Sequence, residues 1–184
     1  METNGIDVNF LNSLNKNIQN ESSNINSIKG FEVISEALVY NIFDIFGRNS
    51  LLSMLYQTGS GPGEKIAKRM QEKYNKSEFE IFEALEILLK ELRDFYSIQI
   101  REVQEYSDNF KVIIENHCFL RDSIKRRERL KPGKALCRIN KGYFETAFRK
   151  LLGDKIKKIE INFLHDDIER DVCVEELVFY PSQL

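Results

Sequence analysis

Five cysteine and histidine side chains could bind a metal ion or act as nucleophiles, and all of them lie between Asn109 and Tyr180. His117 directly precedes Cys118, and an imidazole beside a thiol can favour the reactive thiolate. Because no third group is placed to orient this pair, the sequence does not predict a nucleophile here. Three cysteines at wide spacing form no disulfide framework, so we expect reduced thiols.

A glycine-rich stretch at residues 59–65 resembles a phosphate-binding loop at first sight. Its spacing does not match the Walker A pattern, no Ser or Thr follows Lys65, and no strand is predicted before it. The sequence therefore predicts a glycine-rich turn that begins a helix from Glu64 to Tyr74. Close approach of the backbone to a neighbouring helix is an alternative reason for these glycines.

Length and composition predict one domain with a substantial core. The chain has 184 residues, of which 42% are hydrophobic. Its formal net charge of −2 provides no overall field that would attract nucleic acid. No apolar run approaches the ~20 residues that a membrane-spanning helix needs. We therefore expect a soluble, cytoplasmic protein without a specific nucleic-acid partner.

A local excess of positive charge follows the cysteine and histidine pair. It consists of Arg121, Lys125, Arg126, Arg127, Arg129 and Lys131, against Asp122 and Glu128. Such a loop could hold a phosphorylated ligand, the anionic headgroup of a peripheral membrane, or an acidic protein partner. It lacks the aromatic residues on which single-stranded nucleic acid would stack. A solvated loop without a ligand is the alternative.

The first third of the chain predicts an arm followed by helices. Residues 1–30 are rich in asparagine, which favours caps and turns, so we expect a flexible arm, or else a helix that docks on a partner. From Phe31 the apolar residues recur at helical spacing, with a break near Gly47 and a second segment to Tyr56. This apolar surface exceeds what one side of a small sheet needs, which indicates a buried helical layer or a dimer interface.

Two further helices have recognisable ends. Ser77 and Glu80 form a capping box that begins an amphipathic helix ending near Tyr96. Asn140 is predicted to cap a helix that reaches residue 152, and Gly153 stands where a left-handed C-terminal stop belongs.

Strand patterns account for the remaining ordered segments. Strands are predicted at residues 98–103, 110–116, 156–164 and 171–179, the first two forming an antiparallel pair. Glu176 interrupts the alternation of the last strand and predicts a bulge. Helices followed by hairpin, helix and hairpin predict an α+β fold in which a helical layer packs on a four-stranded antiparallel sheet.

This order of elements and four motifs resemble the superfamily that joins the 4-vinyl reductase (hydrocarbon-binding) domain to the small TRAPP vesicle-tethering subunits. The motifs are Phe-Lys-Val-Ile-Ile-Glu-Asn at 110–116, Cys-Arg-Ile-Asn-Lys-Gly-Tyr-Phe at 137–144, Ile-Lys-Lys-Ile-Glu-Ile at 156–161 and Asp-Val-Cys-Val at 171–174. The resemblance implies one TRAPP-like domain over residues 31–184. It further implies an apolar channel between helices and sheet, and a homodimer formed through helices.

The hydrocarbon-binding branch of this superfamily typically carries four cysteines, and Cys118, Cys137 and Cys173 match three of their places. The fourth place is Leu164 here, beside His165. The three cysteines and His165 could hold zinc only if the strand ends converge, since structural zinc is tetrahedral. Buried thiols that act as small hydrophobic side chains are the alternative.

The function that the resemblance implies is a non-enzymatic, dimeric module that binds a hydrophobic small molecule such as a fatty acyl chain. Each buried methylene contributes ~0.8 kcal/mol, so binding needs no catalytic group. Some TRAPP subunits tie the acyl chain to a cysteine in the loop that corresponds to residues 75–77, where this chain has none, so we expect a non-covalent ligand. The predicted pocket lining, chosen as large inward-facing residues, is Ile42, Leu55, Ile66, Phe82, Leu85, Leu89, Phe144, Phe148 and Phe163.

Two other functions fit the same residues. One is a TRAPP-like scaffold that assembles with homologous subunits or a small GTPase through the apolar surface of residues 31–56. The other is a zinc or redox sensor built on the cysteines. We expect no enzyme, because no carboxylate pair, triad or cofactor loop stands in a credible setting.

Overall fold

The computed structural model describes residues 9, 12–13, 15–17, 27–124, 128, 131 and 133–182. The chain divides into two compact units, Met1–Ser35 and Glu36–Leu184. Most of the predicted arm, residues 1–30, lies outside the described residues, although residues 27–30 belong to a helix. The predicted domain boundary at Phe31 stays a prediction.

Helix α1 (Ser27–Tyr74) is interrupted at Gly47, which has φ 77° and ψ 174°. Only glycine adopts this conformation readily, so the break predicted there is confirmed. The turn predicted at residues 59–63 is wrong, because α1 continues through Pro62 to Tyr74. Glycine and proline disfavour a helix interior, so tertiary contacts must compensate for this local preference.

Helix α2 (Ile81–Glu91) begins later than its sequence signature predicts. The capping box is formed by Glu80 and Glu83, and the predicted box of Ser77 with Glu80 is wrong. The reason is tertiary: the amide of Phe79 donates to the carbonyl of Leu151 at 2.9 Å, and the Phe79 side chain is fully buried. The chain is therefore held extended up to residue 80, where the helix can start.

Four strands form one antiparallel sheet in the order β1-β2-β4-β3. The strands are β1 (Tyr96–Glu105), β2 (Phe110–Cys118), β3 (Ile156–Asp167) and β4 (Val172–Pro181). Helices cover one face of this sheet, so the predicted α+β fold class is confirmed.

The bulge predicted at Glu176 is wrong, because Glu176 pairs regularly with Asn162. The register of β3 against β4 shifts instead between Ile156 and Lys158 and between Phe163 and His165. Glu176 occupies the sheet face opposite Leu177, where its carboxylate bonds to the ammonium of Lys111 at 3.0 Å. This ion pair explains how a carboxylate is accommodated on a strand face where the neighbouring residues are valines.

Helix α3 (Arg121–Ile124) is a single turn, and helix α4 (Cys137–Leu152) covers the sheet. α4 begins before Asn140, so Asn140 is not its cap and lies buried inside the helix. The predicted stop is confirmed, since Gly153 has φ 55° and begins a 3-10 turn, Gly153–Lys155.

α1 and α4 cross with their backbones in contact. A Cβ atom added at any of three glycines would overlap a carbonyl of the opposing helix. The overlapping pairs are Gly59 with Ile139, Gly63 with Tyr143, and Gly142 with Tyr56. Close packing against a neighbouring helix, the alternative given for the glycine-rich stretch, is thus confirmed, and it supplies the contacts that keep α1 helical there.

In the part of the chain that the structure describes, no helix has both the length and the apolar character needed to cross a bilayer.

Candidate ligand-binding site

The helix-facing side of β2 and β4 has two chemically different ends. Partners across an antiparallel pair point to the same side, and every second residue along a strand shares that side. Phe110 pairs with Phe179, Val112 with Leu177, Ile114 with Glu175, and Asn116 with Cys173. We call Val112, Leu177 and Phe179 the apolar end, and Asn116, Cys118, Cys173 and Glu175 the polar end.

Aromatic packing closes the apolar end. The Phe148 ring of α4 is fully buried and lies edge-on to the Phe179 ring, with centroids 5.4 Å apart. Phe110 stacks on the other side of Phe179 at 5.0 Å. Rings at these distances fill the space between helix and sheet.

Two buried hydrogen bonds organise the polar end. The amide nitrogen of Asn116 donates to Oε2 of Glu175 at 3.2 Å, and the hydroxyl of Tyr96 donates to Oδ1 of Asn140 at 3.0 Å. Burial raises the pKa of Glu175 to about 7, although the bond from Asn116 opposes the rise. Burial also raises the pKa of Tyr96. Near neutral pH this end therefore holds a partly protonated carboxyl and a neutral phenol.

The three thiols are held in the protonated form. Burial raises the pKa of Cys118, and it raises the pKa of Cys137 and of Cys173 to about 12 each. His117 does not activate Cys118, because adjacent strand residues point to opposite faces. Its Nδ1 lies 2.8 Å from the carbonyl oxygen of Asp171. These thiols offer small apolar surface and weak hydrogen bonds.

A cavity of about 210 Å³, here called the inner cavity, lies over the polar end. Its lining combines aromatic and aliphatic side chains with Glu175, Asn140 and three basic residues. The lining residues are Gly133, Lys134, Cys137, Arg138, Asn140, Lys141, Phe144, Ile161, Asn162, Phe163 and Glu175.

A larger cavity of about 780 Å³, the outer cavity, lies beside the break in α1. Its walls are largely apolar, with basic residues among them. The lining residues are Val39, Tyr40, Phe43, Arg48, Leu51, Leu52, Glu128, Gly133, Lys134, Ala135 and Arg138. Gly133, Lys134 and Arg138 line both cavities, so the two spaces adjoin.

The nine residues predicted to line a pocket occupy three kinds of position. Phe144 and Phe163 line the inner cavity. Phe82 is exposed and stacks on Phe110 at 5.4 Å. The other six belong to the core or pack against it: Leu55, Leu85, Phe148, Ile42, Ile66 and Leu89.

Sequence reasoning missed the outer cavity and the polar end. The outer cavity could have been inferred from the break between two apolar helical segments, because its lining residues Phe43, Arg48 and Leu51 flank Gly47. The polar end could have been inferred from Glu175, which lies two residues before Leu177 on β4 and therefore points inward. A carboxylate on the inward side of a strand indicates a polar group in the interior.

The predicted basic loop is only partly described. Arg121 is buried: its guanidinium bonds to Asp171 at 2.9 Å, to Asp166 at 2.7 Å and to the sulfur of Cys173 at 3.1 Å. It ties α3 to the β3-β4 hairpin and faces no solvent. Lys131 pairs with Glu128 at 2.9 Å. The remaining members, Lys125, Arg126, Arg127 and Arg129, lie outside the described residues.

The predicted zinc ligands do not converge. The ligand atoms of Cys118, Cys137, Cys173 and His165 do not come together as a metal-binding group. Among the residues whose positions are described, such a group is formed by His117, Asp122 and Asp171, whose ligand atoms lie within 4.8 Å of one another. Asp171 already bonds to the guanidinium of Arg121, and a cluster of acidic groups of this kind is common without a metal.

Two solved structures share this arrangement of helices and sheet. One is the phenol-responsive sensory domain of the transcription activator PoxR, with phenol: identity is 18%, the TM-score is 0.53, and the match covers 81% of this chain and 74% of that one. The other is trafficking protein particle complex subunit 3 from Naegleria fowleri, covalently bound to palmitic acid: identity is 16%, the TM-score is 0.53, and coverage is 84% and 95%.

The likeness is one of fold. It supports a relation to these two proteins at the level of the fold alone, and the predicted membership of one superfamily stays a prediction. No protein-family model matches the sequence. No curated protein matches it either.

Proposed function

We propose that this protein is a non-enzymatic module that binds a hydrophobic small molecule, such as an acyl chain, in the outer cavity. The observation that carries the proposal is the cavity itself. Its volume of about 780 Å³ lies within the roughly 300–1,000 Å³ typical of small-molecule sites, and Val39, Phe43, Leu51 and Leu52 supply apolar walls. Two proteins of the same fold support it, since their structures contain phenol and palmitic acid.

The charges around the outer cavity favour an anionic or neutral head group over a cationic one. Arg48, Lys134 and Arg138 line it, against a single acid, Glu128. That acid is already paired with Lys131. A carboxylate head would therefore find uncompensated positive charge, while an ammonium head would meet repulsion.

Titration of dodecanoate into the purified protein tests this proposal, with native mass spectrometry to count bound ligands. We expect one molecule per chain, and at least a tenfold weaker affinity in Leu52→Trp, whose larger side chain fills the cavity. Ser53→Trp is the matched control, because Ser53 is the exposed neighbour and lines neither cavity. Failure of the wild-type protein to bind dodecanoate, or equal loss in both variants, would contradict the proposal.

A TRAPP-like scaffold that assembles through α1, as a homodimer or with homologous subunits, is the second candidate. It is favoured by the exposed apolar residues of α1 in the larger unit, which include Leu38, Ile45, Phe46 and Met54. Exposed apolar side chains on both sides of the break at Gly47 are typical of an interface. Light scattering during size exclusion tests it: a dimer should dissociate in Ile45→Glu, and a wild-type monomer at all concentrations would exclude the homodimer.

A further inference from the structure

β1 is an edge strand, and no described strand pairs with its outer side. The sheet order places it beside β2 alone, and it runs over ten residues without proline or lysine. Native proteins usually shorten their edge strands or protect them with such residues, because the free N–H and C=O groups of an edge can pair with another strand. Ile100 and Val103, on the helix-facing side of this edge, are 42% and 46% exposed. A long edge that carries exposed apolar residues indicates a surface for strand pairing.

A bulge divides β1 into two halves of opposite phase. The register with β2 shifts between Ile100 and Glu102, which makes Arg101 the extra residue. The guanidinium of Arg101 contacts Glu115 on the sheet face away from the helices, and Glu102 faces the same way. Two successive residues therefore point to one face, and the alternation of sides is reversed beyond them.

The bulge restricts which strand can pair with the whole of β1. Residues opposite each other in an antiparallel pair point to the same side, and a slip of one residue moves every side chain to the wrong face. A strand of regular alternation would match β1 before the bulge and be out of phase after it. A second copy of β1 carries the same bulge. When the two copies run antiparallel with residues 101 and 102 opposite each other, the sides match along the full strand.

Residue types are complementary in this register as well. Ile100 of one copy lies opposite Val103 of the other on the helix-facing side, and Arg101 lies opposite Glu102 on the outer face. Two-fold symmetry makes each pair occur twice. Glu102 forms no ion pair with a described residue of its own chain and accepts a bond from Gln104 at 2.7 Å. The guanidinium of Arg101 has five N–H donors, enough to contact both Glu115 and a second carboxylate.

We propose that two copies of this chain pair through β1, antiparallel about a two-fold axis between residues 101 and 102. The pairing joins two four-stranded sheets into one of eight strands. The bulge excludes regular strands from the full edge and admits a second copy. This interface is separate from the α1 surface of the scaffold candidate, and it does not depend on a ligand in either cavity.

Charge reversal in two single variants tests the pairing and its register together. In Glu102→Arg and in Arg101→Glu, like charges face each other across the axis. We expect a wild-type dimer in sedimentation equilibrium and about tenfold weaker dimerisation of each variant. An equimolar mixture of the two variants should recover the wild-type affinity, because every acid at these positions in one chain then lies opposite a base of the other.

Glu160→Arg is the matched control. Glu160 lies on β3, at the other edge of the sheet, and shares the outer face with Glu102. Its reversal should leave dimerisation unchanged. If Arg101→Glu does not fold without the contact to Glu115, Val103→Lys gives a second test, since a lysine on the helix-facing side of the edge should also weaken dimerisation about tenfold.

A wild-type protein that stays monomeric at every concentration would overturn the inference. A dimer that Ile45→Glu dissociates and the β1 variants leave intact would overturn it too, because the interface would then lie on α1. If both single variants weaken the dimer but their mixture does not recover it, the proposed register is wrong and the inference fails.

Discussion

The two ends of the sheet's helix-facing side share one backbone and differ in what they bury. At the apolar end, Phe148 and Phe179 fill the space with rings. Two residues before Leu177 on β4, Glu175 sits at the same depth under a cavity. Regular pairing of β2 with β4 continues through both ends, so the backbone does not dictate the difference. The side chains do, because apolar rings fill one half of the interior whereas polar groups and a cavity occupy the other.

The close helix crossing lies near the polar end. α4 contacts α1 through backbone at Gly59, Gly63 and Gly142, in the same half of α4 that lies over the polar end. These backbone contacts fix how closely the two helices approach each other, so larger side chains at the three glycines would push the helices apart.

The largest effect should come from the apolar end. Phe148→Ala removes a fully buried ring from between Phe144 and Phe179, and we expect a loss of about 3–5 kcal/mol in the free energy of unfolding. Urea denaturation measures it. Phe82→Ala is the control, since Phe82 is exposed and should cost less than about 1 kcal/mol. Similar losses in both variants would show that the apolar end is not a tightly packed core.

The polar end should instead be revealed by the pH dependence of the free energy of unfolding. The pKa of Glu175 is raised from 4.5 to about 7 in the folded protein, so the stability contributed by its neutral form is complete below about pH 4.5 and is lost as the pH rises through about 7. The shift corresponds to roughly 3 kcal/mol. Relative to wild type, Glu175→Gln should therefore gain stability between pH 5 and pH 8.

Urea denaturation at several pH values measures this difference, with Glu176→Gln as the control. Glu176 lies on the other sheet face and pairs with Lys111. Its substitution should leave the pH dependence of the wild-type protein in place. A flat difference between wild type and Glu175→Gln would show that the polar end does not hold a buried acid.

A smaller effect is expected where the helices cross. Gly142→Ala places a methyl group against the carbonyl of Tyr56, and overpacking of this kind costs about 1–3 kcal/mol. Gly61→Ala is the control on α1, because nothing lies within 4 Å of its added methyl and alanine is the better helix former. It should stabilise the protein by roughly 0.5–1 kcal/mol. Thermal unfolding distinguishes the two, and equal effects would show that the backbone contact at Gly142 does not restrict substitution.

The smallest effect concerns a single hydrogen bond of the polar end. Tyr96→Phe leaves Oδ1 of Asn140 without its donor, and we expect a loss of about 1 kcal/mol by urea denaturation. Tyr106→Phe removes an exposed bond to Gln104 and should change the stability by less than half of that. A loss no greater than that of the exposed control would indicate that water already satisfies Asn140.

Local signals in the sequence succeeded where one residue type decides the geometry. The break at Gly47 and the stop at Gly153 follow from glycine's freedom at positive φ. Local signals failed where a distant contact competes. Phe79 bonds to Leu151, so α2 begins later than predicted, and α4 holds the glycine-rich stretch of α1 in a helix. The preference of Ser77 for a helix start and that of Pro62 for a helix end were both outweighed by tertiary contacts.

The sequence by itself determined the α+β class and the antiparallel strand pairs, because strand alternation assigns each side chain to a face. Only the tertiary structure decided that Arg121 is an internal cation, that the described cysteines and His165 form no common ligand cluster, and that cavities remain beside Gly47 and over Glu175. The physical reason is that periodicity assigns a direction to each side chain, whereas a cavity depends on the distance between elements. That distance depends on contacts between residues far apart in the chain, which a local pattern does not contain.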